Sequence, residues 1–251
     1  MTVVDDLKSF YKSKKISAMD FHCPHRPECK GDDVPNFVEA QEAFVGTEYE
    51  RHRKGIPRLL FVSIDPGGSP ADPNERTMAA ERLRVEEGKD AVKNIPPSKY
   101  NQHWYQTNLL AFELLGNYRP SEITLDNVSS YFAHTRAAKC CANYEGFGEG
   151  PGRLFKNCES YLDGEIKALK PDVVISQGDR GMDAVMSVLG RFKFCDSNFY
   201  YKDDAIQDWG KVIFFRQYHP AAYGLFWPQK DFWPKWQSIL HEGWPVPALA
   251  A

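Results

Sequence analysis

Three runs of consecutive apolar residues stand out in the pattern of hydrophobic and polar positions along the chain. They are RLLFVSI at 58–64, DVVISQG at 172–178 and KVIFFRQ at 211–217. Short runs of this kind, closed by turn signals, are typical of strands that are buried on both faces. A weaker strand is predicted within 128–138. The pattern therefore predicts four strands.

Helical periodicity fills most of the intervals between these strands. Segments with apolar stripes and recognisable start or stop signals predict helices at about 5–15, 35–55, 102–116, 153–170, 179–190 and 231–241. The remaining stretches are predicted as a Cys-, His- and Pro-containing loop, a surface excursion and a glycine-rich loop, at 22–36, 70–100 and 142–152.

Buried strands that alternate with helices indicate a mostly parallel sheet with helices on both of its faces. We therefore expect a three-layer α/β/α fold around a central, mostly parallel four-stranded sheet. At 251 residues the chain is long enough to bury a sizeable core, and we expect one domain over residues 1–251.

Composition and charge narrow the class of protein. The chain is 42% hydrophobic and 26% charged, which excludes a disordered or fibrous protein. Because no apolar run approaches the roughly 20 residues of a membrane helix and the N-terminus lacks a signal-peptide core, we expect a cytoplasmic protein without a membrane span. A net charge of −3 argues against a generic DNA-coating protein but allows a local basic face. Such a face could use residues 12–15, 51–54, Lys139 or Arg180, although each is also explained as a solvated helix end.

Two chemically active residues follow predicted strands. Ligands of parallel sheets bind outside the carboxyl ends of the strands, and Asp65 and His219 stand directly after two of those ends. An Asp there can orient or deprotonate water, and a His can donate a hydrogen bond to charge that develops on a leaving group. The alternative is structural, because Asp-Pro-Gly-Gly forms ordinary turns and His-Pro can simply end a strand.

The cysteines are clustered, which in a reducing compartment favours metal binding or catalysis over disulfides. Cys23 and Cys29 share the loop HCPHRPEC, Cys140 and Cys141 are adjacent, and Cys158 opens a later helix. Cys195 stands apart and is expected to be a buried apolar residue. One interpretation is a zinc site that combines Cys23 and Cys29 with His22 or His25.

Four segments together resemble the uracil-DNA glycosylase superfamily. They are RLLFVSIDPGG, AAKCCAN, NCESYLDGEIKALKPDVVISQGDRGMDAV and FFRQYHPAAYG, and they occur in the order of that superfamily between about residues 20 and 242. The iron–sulfur-containing branch is the most similar. The resemblance implies a uracil-DNA glycosylase-like fold and a monomeric base-excision-repair enzyme that binds single- or double-stranded DNA, flips a base out of the stack and hydrolyses its N-glycosidic bond.

The same resemblance implies roles for individual residues. Asp65 would position the hydrolytic water, and His219 would stabilise the departing base. Gly67 would leave room for a 5-substituent on the base. Trp104 or Tyr105 would stack on the flipped base, with packing in the core as the alternative role for both.

The loop after His219 would enter the minor groove, where Tyr223, Leu225 or Phe226 could act as an apolar wedge. The resemblance also implies that Cys23, Cys29, Cys140 and Cys158 hold a structural 4Fe–4S cluster, with the loop at about 20–36 contributing the first pair. Cys141 is an alternative to Cys140, and zinc is the alternative metal.

One departure from the branch concerns the residue that recognises the base. The branch carries Asn four residues before its third cysteine. This chain has Arg136 there if Cys140 is that cysteine, or Ala137 if it is Cys141. Arg offers hydrogen-bond donors only, so it provides no acceptor for the N3 proton of uracil and suits a base that presents acceptors. It could equally contact a phosphate or pair with an acid. A non-catalytic member that binds or senses nucleic acid or nucleotides is therefore the alternative function.

Overall fold

The computed structural model describes residues 2–32, 34, 37–52, 55–66, 69–87, 102–119, 121–141, 150–190, 201–220 and 223–244, with the backbone alone at 102, 201–206 and 223. Gly67, Cys195 and residues 142–149 of the predicted glycine-rich loop lie outside the described residues.

The described residues form an α/β fold around one mixed, mostly parallel sheet. Its strand order is β1-β3-β2-β4-β6-β5, in which the four inner strands run parallel and both outer strands are antiparallel to their neighbours. The strands are β1 Phe44–Val45, β2 Leu59–Ser63, β3 Phe132–Arg136, β4 Val173–Gln177, β5 Tyr201–Gln207 and β6 Gly210–Gln217.

The four predicted strands are the four parallel strands, but the predicted width of the sheet is wrong. The described residues add the edge strands β1 and β5, which makes six. β2, β3 and β4 are buried at every position, and apolar runs reveal β2 and β4. β1 has only two residues, and the segment YKDDAIQ of β5 contains no apolar run. Edge strands of this kind leave little hydrophobic signal.

Helices cover both faces of the sheet, as the alternating pattern predicts. One buried core joins α1 and α6 to one face, and a second core joins α5 and α9 to the other. The helices of the described residues are α1 Val3–Lys14, α2 Arg26–Lys30, α3 Thr47–Arg51, α4 Met78–Arg82, α5 Gln102–Leu115, α6 Gly152–Leu169, α7 Asp179–Leu189, α8 Tyr223–Gln229 and α9 Trp233–Gly243.

The helix predicted over 35–55 is wrong. Its described residues form an extended segment, then β1 and the single-turn helix α3. Six consecutive residues, Ala40–Val45, are all buried, whereas a helix at the surface would expose one face. The polar residues of this run have partners: the Glu42 carboxylate accepts from the backbone N–H groups of Ala18 and Met78. Tertiary hydrogen bonds therefore override the helical pattern.

The segment 22–36, which the sequence predicts as a loop, contains the short helix α2. Pro27 lies in the first turn of this helix. The helices predicted at 102–116, 153–170 and 179–190 are confirmed within one residue at their starts and ends. No helix in the described part of the chain combines the length and the hydropathy needed to cross a membrane.

Candidate active site and cysteine pocket

A row of polar side chains closes the carboxyl edge of the sheet on the face that α5 covers. Ser63 and Arg136 are register partners at the ends of β2 and β3, and Gln177 and Gln217 are partners at the ends of β4 and β6. All four residues are buried. Because polar groups are costly to bury in a core, such a row across four strands indicates a site rather than packing.

Asp65 and His219 flank this row just beyond the strands. Asp65 is 8% exposed and lies two residues after β2. Gly178 connects the two regions: a Cβ there would lie 3.1 Å from Cγ2 of Ile64 and 3.3 Å from Cβ of His219. Its φ of +93° is a backbone conformation that favours glycine. The glycine therefore allows the segments that carry Asp65 and His219 to approach each other.

His219 belongs to an array of three imidazoles. Its ring stacks on that of His103, with centroids 5.3 Å apart and planes at 28°. Nε2 of His103 lies 3.2 Å from Nε2 of His134, so one of the two rings donates a hydrogen bond to the other. His103 comes from the start of α5 and His134 from β3. The array therefore links a covering helix, an inner strand and the predicted catalytic His.

Burial keeps all three imidazoles neutral. It lowers the pKa of His219 to about 4, and it lowers the pKa of His103 and His134 well below the usual value for histidine. The positive charge of Arg136 further lowers the pKa of both His103 and His134. At neutral pH the array therefore consists of uncharged rings, each with one N–H donor and one acceptor nitrogen.

The two predicted stacking residues lie next to this array on α5. Trp104 packs against the His134 ring at 4.8 Å and meets Phe44 edge-on at 6.1 Å. Tyr105 is partly buried. His103, which the sequence analysis did not single out, is the residue of this turn whose ring stacks on His219.

The predicted wedge segment forms α8. Leu225 is 56% exposed and Trp227 is 42% exposed, whereas Phe226 is fully buried in the core. Phe226 is therefore excluded as a wedge in this conformation. Tyr223 begins α8, and its side chain lies outside the described residues. The Lys230 ammonium sits 4.7 Å from the centre of the Trp227 ring, so this surface combines apolar area with positive charge.

The four predicted cysteine ligands line one pocket. Cys23 precedes α2, Cys29 lies within α2, Cys140 follows β3 and Cys158 lies in the second turn of α6. Cys141 does not line the pocket, and its backbone pairs with that of Val38. Of the two adjacent cysteines, the structure therefore places Cys140 with the others.

Polar groups surround the sulfur atoms of this pocket. The backbone N–H of Lys139 lies 3.4 Å from Sγ of Cys158, and the Asn157 amide lies 3.4 Å from Sγ of Cys29. The Tyr161 hydroxyl lies 3.3 Å from Sγ of Cys23. Burial raises the pKa of Cys158 to about 12, although the backbone N–H and the charge of Lys139 oppose this rise and the thiols of Cys29 and Cys23 add to it. A positively charged group that binds all four sulfurs would therefore relieve a mutual repulsion of thiolates.

The four cysteines match in number and type the thiolates that a 4Fe–4S cluster requires. They come from three segments and line one pocket, and hydrogen bonds to sulfur are a known means of tuning such clusters. Among the described residues, no three His, Cys, Asp or Glu side chains converge closely enough to hold a single metal ion. Metal analysis of the purified protein distinguishes iron from zinc at this pocket.

A buried ion pair supports the cysteine pocket. The Lys139 ammonium lies 2.5 Å from the Glu165 carboxylate, and the hydroxyls of Tyr11 and Thr135 donate to the same carboxylate. Lys139 is 3% exposed and Glu165 is fully buried. The possible phosphate contact at Lys139 is therefore wrong, because its ammonium is committed to Glu165 inside the protein.

The other predicted basic positions are on the surface. Lys12, Lys14 and Lys15 are exposed, as is Arg180, whose guanidinium lies 5.6 Å from the centre of the Phe155 ring. Arg51 pairs with Glu48 in the same short helix. These residues can contact phosphates, but the structure gives none of them a distinguishing geometry.

The sequence matches no protein-family model and no curated protein. The functional proposal below therefore depends on the motifs and on the geometry of the site.

Proposed function

We propose that this chain is a DNA glycosylase that flips a damaged or modified base out of the duplex and hydrolyses its N-glycosidic bond. The observation that carries the proposal is that Ile64, the residue before Asp65, and His219 both pack against Gly178 at one edge of the parallel sheet. Together with the superfamily motifs, this arrangement supports the finer assignment of a uracil-DNA glycosylase-like fold.

Asp65 acts on the sugar side of the reaction. Its carboxylate orients a water molecule towards C1′ and stabilises the positive charge that develops on the sugar as the C1′–N bond lengthens. The water oxygen bonds to C1′, and the bonding pair of the broken C1′–N bond leaves with the base. The proton from the water passes to Asp65 and from there to solvent. The low exposure of Asp65 keeps competing water away.

His219 acts on the base side. The departing base carries negative charge, and an N–H donor aimed at that charge lowers the barrier. Because the pKa of His219 is lowered to about 4, the ring is neutral at physiological pH and acts as a hydrogen-bond donor rather than as an acid. Its stacking on His103 fixes the plane of the ring.

The cysteine pocket has a structural role in this proposal. A bound 4Fe–4S cluster would join α2, the segment after β3 and α6 through Cys23, Cys29, Cys140 and Cys158. Pure protein is then expected to be brown and to contain about four irons per chain. Stoichiometric zinc in colourless protein would overturn the cluster and support the zinc alternative.

Base release is tested with labelled oligonucleotides that carry uracil, hypoxanthine, xanthine, mismatched thymine or 5-modified cytosines. The proposal predicts that at least one of them acquires an alkali-labile abasic site. Binding without any abasic product would support the alternative, a nucleic-acid or nucleotide sensor with this fold. Arg136, in place of the branch's Asn, is the observation that favours that alternative.

A further inference from the structure

Arg136 is held in place from one side. It ends β3 beside Ser63 and is 8% exposed. Its Nη2 lies 3.7 Å from the Glu81 carboxylate, and Glu81 is itself held by contacts with Gln41 and Arg84. Glu81 is 1% exposed. The guanidinium therefore has a fixed orientation at the edge of the sheet.

The other side of this guanidinium offers an unused donor. Nη1 of Arg136 is buried and has no hydrogen-bond partner among the described residues. Leaving a buried donor unsatisfied costs about 1–3 kcal/mol, more for a charged group, so such a donor indicates an absent acceptor. Although burial lowers the pKa of Arg136 to about 10, the negative charge of Glu165, and to a smaller extent that of Asp65, favours its charged form. The group remains a donor at neutral pH.

The hydrogen-bonding edges of the pyrimidines differ at the atom that such a donor would meet. Uracil and thymine carry a proton on N3, which repels an Arg N–H. Cytosine carries a lone pair on N3, next to a second acceptor at O2 and an amino group at C4. The Glu81 carboxylate, which accommodates up to about four hydrogen bonds, lies beside Arg136 as an acceptor for that amino group.

We propose that Arg136 and Glu81 select bases of the cytosine type, in which N3 is an acceptor and C4 carries an amino group. The proposal rests on the proposed function, since it names the substrate class of the same site. The proposal explains why Arg136 stands where the iron–sulfur branch has Asn. Asn at this position suits a base whose N3 carries a proton, whereas Arg suits a base whose N3 is an acceptor.

Binding is the test that does not require catalysis. Asp65→Asn protein is titrated with duplexes whose central base lies opposite an abasic analogue, which lowers the cost of flipping. The probes form two matched pairs, cytosine with uracil and 5-methylcytosine with thymine, and Kd is measured by fluorescence anisotropy. Within each pair the amino-bearing base is expected to bind about tenfold more tightly, as for a well-placed Arg contact to a base.

Variants on the Asp65→Asn background assign the preference to Arg136. Arg136→Asn is expected to abolish or reverse it in both pairs, and Arg136→Lys, which keeps the charge beside Glu81, is expected to weaken it. Arg82→Gln is the matched control, because Arg82 pairs with Glu50 and the carbonyl of Val45, away from the row. Arg82→Gln should leave the preference within each pair unchanged. Thermal melting confirms that each variant is folded, and Arg136→Lys carries the test if Arg136→Asn is not.

Three results would overturn the inference: equal binding within each pair, tighter binding of uracil and thymine, or a cytosine preference that survives both Arg136 variants. The failure of the proposed function looks different. Asp65-intact protein would then release no base from any probe, whatever the binding preference of the Asp65→Asn protein.

Discussion

The carboxyl edge of the sheet and the cysteine pocket both bury polar chemistry, but they treat charge differently. The edge keeps its imidazoles neutral and stacks them, whereas the pocket is supported by the fully formed Lys139–Glu165 ion pair. Neutral groups suit a site that receives a ligand. A satisfied ion pair suits a site that holds its shape. The comparison supports the proposed catalytic role of the carboxyl edge and the proposed structural role of the cysteine pocket.

Among variants that compare the two regions, Cys158→Ala is expected to have the largest effect. Loss of one thiolate should release essentially all bound iron and reduce soluble protein, because the proposed cluster would join three segments of the chain. Cys141→Ala is the matched control, since Cys141 does not line the pocket. Iron content and yield of the two variants are measured side by side. Loss of iron from Cys141→Ala, with iron retained by Cys158→Ala, would contradict the assignment.

The ion pair should matter for stability. Lys139→Met leaves the Glu165 carboxylate buried without its counter-charge, which typically costs about 3–5 kcal/mol of the free energy of unfolding. Lys170→Met is the control, because Lys170 pairs with Asp6 near the surface. Denaturant unfolding measures both. Equal small losses would show that Lys139 is not structurally special.

The imidazole array should respond to acid. The pKa of His219 is lower in the folded protein than the ordinary 6.5, so the unfolded chain takes up its proton first as the pH falls. The free energy of unfolding should therefore fall between pH 6.5 and about 4, by about 3 kcal/mol for His219 alone. His219→Gln should lose this part of the slope, measured by denaturant unfolding across that range. An unchanged slope would contradict the burial of a neutral His219.

The smallest expected effect concerns α8. Leu225→Ala removes an exposed apolar side chain from the proposed wedge and should weaken duplex binding about fivefold. Leu83→Ala removes the same side chain from a position of similar exposure, 57% against 56%. Anisotropy titrations of both variants show whether the weaker duplex binding depends on where the leucine lies or only on its apolar area. Equal weakening would remove α8 from the binding surface.

Sequence pattern identified the parts of this molecule that are locally encoded. β2 and β4 are continuous apolar runs, so their burial and the polar residues after them, including Asp65, could be located in advance. The four cysteines were grouped by motif, and one pocket contains all four.

The imidazole array could not be found in this way. His103 and His134 are 31 residues apart and carry no motif, and only the packing of α5 against β3 brings them together. The helix predicted over 35–55 was wrong at residues 40–45 for a related reason. Its polar residues, such as Gln41 and Glu42, are satisfied by distant groups, which no local periodicity reveals.

The central claim is that Asp65 and His219 perform hydrolysis at this edge, and base release under single-turnover conditions tests it most directly. Asp65→Asn should lower the rate by about 10³-fold and His219→Ala by about 10²-fold, with iron content unchanged in both. Asp179→Asn is the control, because this exposed carboxylate at the same edge pairs with Arg216. Base release that survives in Asp65→Asn, or none from any substrate by iron-replete wild-type protein, would contradict the account.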